Sequence, residues 1–240
     1  MAGGRDKSIL VAMERANALN NMAVRLCHEI RNPLASLGGL VKRLHSQCEP
    51  EARMARYLEV IEHEAIRLEK ILAGFVAYTR TLELRREIIE PRILLSSVLC
   101  LLKTEMENQG IEPLLHDQCD LPTIFIDRRL MEEALLHIVK NGIEALPGGG
   151  TIECFLERAG GALQIRIRDH GAGIQENLRT RIFEPFFTTK VYGAGLGLSM
   201  ADKVIRLHGG TLSLQAGQER GTEAVIILPQ QEMTTAVPTL

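Results

Sequence analysis

Cys27-His28-Glu29-Ile30-Arg31-Asn32-Pro33-Leu34 lies inside an apolar stripe that decides the architecture of the first third of the chain. The stripe runs through Ile9, Met13, Ala16, Leu19, Ala23, Leu26, Ile30, Leu34, Leu37, Val41 and Leu44, spaced three or four apart as an amphipathic helix requires. His28 stands two residues from both Leu26 and Ile30, so at about 100° per residue its imidazole is aimed away from the stripe. Asn32, one turn later, shares that face, and Glu29 is adjacent. A core histidine would sit on the stripe; the placement of this one argues for a reactive group. Pro33 removes a backbone donor and crowds the preceding turn, which predicts a bend just after His28.

Working outward, the first helix is expected over about residues 8–46 and a second over about 50–84, its stripe formed by Met54, Leu58, Ile61, Ala65, Leu68, Leu72, Phe75 and Thr79. The break at Gln47-Cys48-Glu49-Pro50 makes them a hairpin. Both exceed the usual length of a globular helix, and two helices alone cannot cover their own stripes. A second copy is therefore expected, giving a homodimeric four-helix bundle. After Arg85 the texture changes to shorter elements. A helix is expected near 93–109, strands near 111–115 and 123–126, and a helix over 128–146 that Asp127 caps. Strands at 151–156 and 163–168, a helix at 197–207 and strands at 211–215 and 222–228 complete the pattern. The fold class is α+β: a helical domain over 1–88, an α/β sandwich with a mostly antiparallel sheet over 89–231, and a tail over 232–240.

Composition narrows the function. The chain has 240 residues, 45% hydrophobic and 24% charged, enough for two ordinary cores. A net charge of −2 gives no global basic field, and with 4% aromatics and no Trp there is no stacking platform, so no nucleic-acid partner is expected. Five cysteines, an odd number without a CxxC pair, fit a reducing compartment and exclude a disulfide framework or structural zinc. The longest apolar stretch, over 93–102, carries two serines and is shorter than the roughly 18 residues a bilayer span needs. The charged start, with Arg5, Asp6, Lys7, Glu14 and Arg15, is not a signal peptide. The expectation is a cytoplasmic chain without membrane contact of its own, either stand-alone or the cytoplasmic part of a larger sensor.

Three further motifs carry chemistry. Asp169-His170-Gly171-Ala172-Gly173 leaves a strand into a tight turn, holding a carboxylate at the strand end while the glycines permit close backbone approach by a ligand. Gly193-Ala194-Gly195-Leu196-Gly197 runs directly into a helix, whose free N–H groups and dipole form a phosphate site. Between them, Phe183 to Lys190 offers the hydroxyls of Thr188 and Thr189 and the ammonium of Lys190 on a segment able to cover that site. On the earlier helix, the carboxamide of Asn141 suits a magnesium ion that keeps most of its other ligands from phosphate and water.

HEIRNPL at His28, KNGIEALP at Lys140, DHGAGI at Asp169, FEPFFTTK at Phe183 and GAGLGL at Gly193 together resemble, in order, the H, N, G1, F and G2 boxes of the sensor histidine kinases of two-component systems, most closely the nitrogen-regulation sensor type. The resemblance covers nearly the whole chain and includes the closing Gly221-Thr222-Glu223. It implies a dimerisation and phosphoacceptor hairpin followed by an ATP-binding domain of the gyrase, heat-shock chaperone, kinase and mismatch-repair superfamily. It further implies that Asp169 accepts from the adenine amino group, where guanine would present acceptor to acceptor. Asn141 would hold Mg2+, Gly195, Leu196 and Gly197 would cradle phosphates, and Thr188, Thr189 and Lys190 would belong to a lid. His137, Lys140, Gly171, Gly173, Gly193, Leu198 and Thr222 complete the nucleotide contacts. His28 would attack the γ-phosphorus of ATP, Glu29 would accept or orient the ring proton, and Asn32 would position water for dephosphorylation of a response regulator's receiver domain. One departure stands out: the family usually has a second Asn four residues before the magnesium ligand, and here that position is His137. The expected activity is autophosphorylation on His28 and transfer to an aspartate of the regulator; a nucleotide-binding dimeric scaffold with weak kinase activity, or a protein acting mainly as a phosphatase, are the alternatives.

Overall fold

The computed structural model describes residues 23, 26, 27, 29–44, 51–80, 82–118, 121–190, 193–217 and 220–230. His28 lies outside them. The chain forms two compact units, Met1–Thr81 with Glu184–Leu196, and Leu82–Phe183 with Gly197–Leu240.

In the helical unit, α1 is continuous over 29–44 and carries Pro33 buried within it. Helix α2, Glu51–Thr79, follows. It ends short of the expected residue 84, and its last hydroxyl, Thr79 Oγ1, donates to the carbonyls of Phe75 at 3.0 Å and Val76 at 3.2 Å. Beyond it, Leu82 and Leu84, whose spacing of two suits extended chain, belong to the second unit and pack against its core. The helical unit's small core is Ile71, Phe186 and Leu196, with Leu26, Ile30, Phe75, Tyr78 and Ala194 against it. Much of the stripe stays uncovered: Leu34, Val41, Leu58 and Leu72 are 53%, 48%, 54% and 48% exposed, and beside the stripe Val76 is 63% exposed.

The second unit contains β1 (Glu87–Ile89), α3 (Pro91–Leu101), α4 (Lys103–Asn108), β2 (Ile111–Asp117), β3 (Ile124–Ile126), α5 (Arg128–Glu144), β4 (Gly150–Ala159), β5 (Ala162–Asp169), α6 (Gly197–Leu207), β6 (Thr211–Ala216) and β7 (Thr222–Pro229). Its main sheet has the order β2-β4-β5-β7-β6, with only the β2–β4 pair parallel. Alternation buries Ile152, Cys154 and Leu156 of β4 and Leu163, Ile165 and Ile167 of β5 in one core with Leu135, Val139 and Ile143 of α5 and Val204 and Ile205 of α6. Two details differ from the sequence expectation. The helix expected over 93–109 is two helices meeting at Leu102, and β1 is a strand that pairs with β3 in a separate small sheet.

One buried junction fixes the start of α5. Asp127 accepts from Leu130 N–H at 3.0 Å through Oδ1 and from Arg85 N–H at 2.8 Å through Oδ2. Its own N–H donates to His208 Nε2 at 2.9 Å. His208 Nε2 is therefore unprotonated, and Nδ1–H donates to the Val204 carbonyl at 2.8 Å, which makes the ring neutral. The N-terminus of α5 and the end of α6 are thus tied by groups with no spare polar atom on the ring.

Candidate functional site

Asp169 ends β5 with its side chain buried at 7% exposure. Oδ1 accepts from Gly171 N–H at 2.9 Å and Thr222 N–H at 3.3 Å, so both bonds fall on one oxygen of the carboxylate. Burial raises the carboxyl above its ordinary range, against the two N–H donors that favour the charged form. The surrounding backbone is packed to the limit that glycine allows. A methyl group on Gly171 would collide with the Ala145 carbonyl, and one on Gly221, at φ +88°, with the Asp169 carbonyl. Gly142 of α5 faces the same carboxylate: a Cβ there would lie 3.6 Å from Asp169 Cβ. The sequence motifs around Asn141 and Asp169 are therefore neighbours in space, joined by Gly142, with Gly173 packed against Gly221 beside them.

One turn before Asn141, His137 abuts the first residue of α6, for a Cβ on Gly197 would come within 3.1 Å of His137 Nδ1. Burial lowers the His137 pKa, and the Lys140 charge lowers it further against the opposing pull of Glu133, so the ring is neutral at pH 7. An uncharged ring at a helix N-terminus presents a lone pair or an N–H without adding a fixed charge to the positive end of the dipole. Asn141 is half-buried, Lys140 exposed and Leu198 half-buried against the core.

The remaining motif residues belong to the helical unit. Phe186 stacks on Phe75 of α2 with centroids 6.4 Å apart, and a Cβ on Gly74 of α2 would meet Leu196 Cδ1 at 2.5 Å. Phe186 takes the left-handed conformation at φ 65°, and its N–H donates to Gly195 O at 2.8 Å, closing the segment on itself. Thr188 Oγ1 accepts from Lys190 N–H at 3.0 Å and also limits the room at Gly193, while Thr189 is exposed. On α1, Asn32 is exposed and Glu29 forms an ion pair of 3.6 Å with Arg67 of α2. Three contributors escape a reading of the sequence: Gly142 and Gly221, whose small size matters only once β5 and α5 are packed, and Arg67, which has no motif. Only the Gly221-Thr222-Glu223 string hinted at the second.

Residues 18–82 match the family described as His Kinase A (phospho-acceptor) domain, and residues 126–232 match Histidine kinase-, DNA gyrase B-, and HSP90-like ATPase. The chain carries the two domains of a histidine kinase catalytic portion. Among curated relatives, the chain is 28% identical over 216 residues to Sensor histidine kinase ZraS of Escherichia coli (strain K12), covering 90% of this chain and 46% of ZraS. It is 27% identical over 228 residues to Sporulation kinase A of Bacillus subtilis (strain 168), covering 94% of this chain and 37% of that protein. The chain thus spans half the length or less of these relatives. Among solved structures, the histidine kinase ThkA in complex with response regulator protein TrrA superposes with a TM-score of 0.76 at 28% identity, covering 91% of this chain and 64% of the ThkA chain. The α+β architecture, a helical phosphoacceptor region followed by an α/β ATPase sheet, is that of the family. Among the described residues no helix is long and apolar enough to cross a membrane.

Proposed function

We propose that the chain is an ATP-dependent protein-histidine kinase that phosphorylates itself on His28 and passes the phosphoryl group to an aspartate of a response regulator's receiver domain. The observation that carries this reading is the buried Asp169 carboxylate, fixed through Oδ1 by two backbone N–H groups in a turn whose glycines let the neighbouring backbone close tightly around it. A carboxylate oxygen held there accepts from an exocyclic amino group and rejects a carbonyl, which selects adenine over guanine. Gly171 and Thr222 donate to that carboxylate and Gly173 packs on Gly221 beside it; His137 borders the start of α6 at Gly197 and Leu198, an anion site by its free N–H groups, and Lys140 is assigned to it by its motif. Thr188, Thr189, Lys190, Gly193, Gly195 and Leu196 are assigned to the nucleotide by their motif.

The donors suit Mg2+. Among the described residues no group of three His, Cys, Asp or Glu forms a cation cage, so the fitting ion is one that takes a single protein oxygen, from Asn141, and the rest from phosphate and water. When bound, it neutralises charge on the phosphoryl group in transfer. The protein's own part is proton handling and position. A lone pair on one ring nitrogen of neutral His28 attacks the γ-phosphorus, the N–P bond forms, and the bond to the bridging oxygen breaks with its electron pair leaving on ADP. The proton on the other ring nitrogen passes to Glu29. The exposed stripe of the hairpin supports assembly as a homodimer. Asn32, exposed on α1, favours a second activity, orienting water for hydrolysis of the phosphorylated regulator. The decisive experiment is incubation with γ-labelled ATP and magnesium: acid-labile, base-stable label, absent from His28→Gln, is expected. Nucleotide binding without label would overturn the kinase reading.

A further inference from the structure

We infer that Arg67 is a positioning residue for phosphoryl transfer, holding the Glu29 carboxylate where it receives the ring proton of His28; this rests on the role given to Glu29 above. Arg67 Nη2 lies 3.6 Å from Glu29 Oε2 across the hairpin, and Nη1 lies 3.8 Å from Glu64 Oε2 on its own helix. All three side chains are largely covered, at 19%, 27% and 15% exposure. Yet the fork closes no hydrogen bond with either acid, and Arg67 Nε and Glu64 Oε2 are buried without a hydrogen-bond partner. A guanidinium kept for stability alone would be fully bonded, since an unused buried N–H is costly and a helical pair one turn apart repays little. The arrangement makes sense if the cation serves Glu29, with Glu64 holding the other side of the fork. Glu29 is then turned toward α2 rather than toward water, one residue from the histidine in sequence.

In the step itself, the N–P bond forms, the bridging P–O bond breaks onto ADP, and the ring N–H proton moves to the Glu29 carboxylate. Arg67 takes no atom or charge from the reaction; it sets the geometry, where misplacement costs rate steeply. That predicts coupling between the two side chains, which a stabilising role elsewhere would not produce.

The test is a double-mutant cycle on the whole chain, reading the initial rate of labelling at saturating ATP and magnesium beside the nucleotide Kd. Glu29→Gln is expected to lose about a hundredfold or more in rate, and Arg67→Gln roughly tenfold, with the Kd unchanged in both. The double variant should be no slower than Glu29→Gln alone, and Arg67→Lys, which keeps the charge, should recover most of the rate. Losses that multiply, or wild-type labelling in Arg67→Gln, overturn the inference. Where light scattering finds Arg67→Gln aggregated, the cycle is run with Arg67→Met, which keeps the apolar stem and removes the charge, and is read by the same criterion. Full labelling in Glu29→Gln removes the base itself and this inference with it, whereas no label on the unmodified chain defeats the kinase reading instead.

Discussion

At Asp169 both backbone donors fall on Oδ1, and the proposed adenine contact would fall on the other oxygen, so substitution can tell the two roles apart. Asp169→Asn keeps the size but replaces charge-assisted acceptance with a weaker carboxamide bond, and it risks turning NH2 toward the ligand. ATP binding should weaken by at least about 1.5 kcal/mol, tenfold in Kd, measured by titration calorimetry. The melting temperature should fall less, because a carboxamide oxygen still accepts from Gly171 and Thr222. Gly171→Ala acts differently: its methyl meets the Ala145 carbonyl, which no rotamer relieves, so a loss of about 1–3 kcal/mol of folding stability is expected in denaturant titration together with weaker binding. An Ala variant as stable as the parent would show that the loop relaxes freely. Asp169 and Gly171 were readable in the sequence because a strand end followed by glycines is a local pattern. Gly142, Gly221 and Arg67 were not, because their roles are distances between segments remote in the chain.

Elements follow the same division. Helix α6 begins and ends where its pattern says, Gly197–Leu207, since a glycine loop precedes it and its apolar periodicity is strong. Strand β1 has three residues, Glu87–Ile89, too few for any period to register, and the break at Leu102 contains no Gly or Pro to announce it. Asp127 as the cap of α5 was readable; the further bonds to Arg85 and His208 were not. These bonds carry a pH dependence. Burial holds His208 below the ordinary histidine pKa, and His137 likewise. The unfolded chain takes up these protons near pH 6.5 while the folded chain does not. Stability from the neutral rings is therefore complete above about pH 6.5 and is lost as pH falls toward their lowered folded values. For Asp127 burial works to raise the pKa, but the Leu130 and Arg85 donors prevail and hold it low, so a second loss follows only below the ordinary carboxylate range. Asp169, held high, pulls the other way there. The melting temperature should drop between pH 7.5 and 6 in a scan by circular dichroism; a flat curve would contradict the neutral, committed His208.

For the whole molecule, the hairpin stripe was the most readable feature and also the least satisfied one, since apolar residues at helical spacing identify a helix without naming what covers it. Val76 and Leu58, at 63% and 54% exposure, are where a second copy would be felt. Val76→Glu or Leu58→Glu should shift the chain from dimer to monomer in light scattering at micromolar concentration, with nucleotide affinity preserved. A dimer that survives both would place the subunit contact elsewhere.

The chain leaves the α/β unit after Phe183 and rejoins it at Gly197, and no fully buried residue of that unit's core comes from the excursion. The polypeptide there packs on Ile71 and Phe75 of α2. A single protease nick between Thr188 and Lys190 should accordingly yield two fragments that stay associated through the continuous β-sheet, with the larger unit's thermal transition intact. Folding of the sheet and operation of the nucleotide segment are thereby separable, so a change of length there should be felt in nucleotide handling and not in the stability of the larger unit.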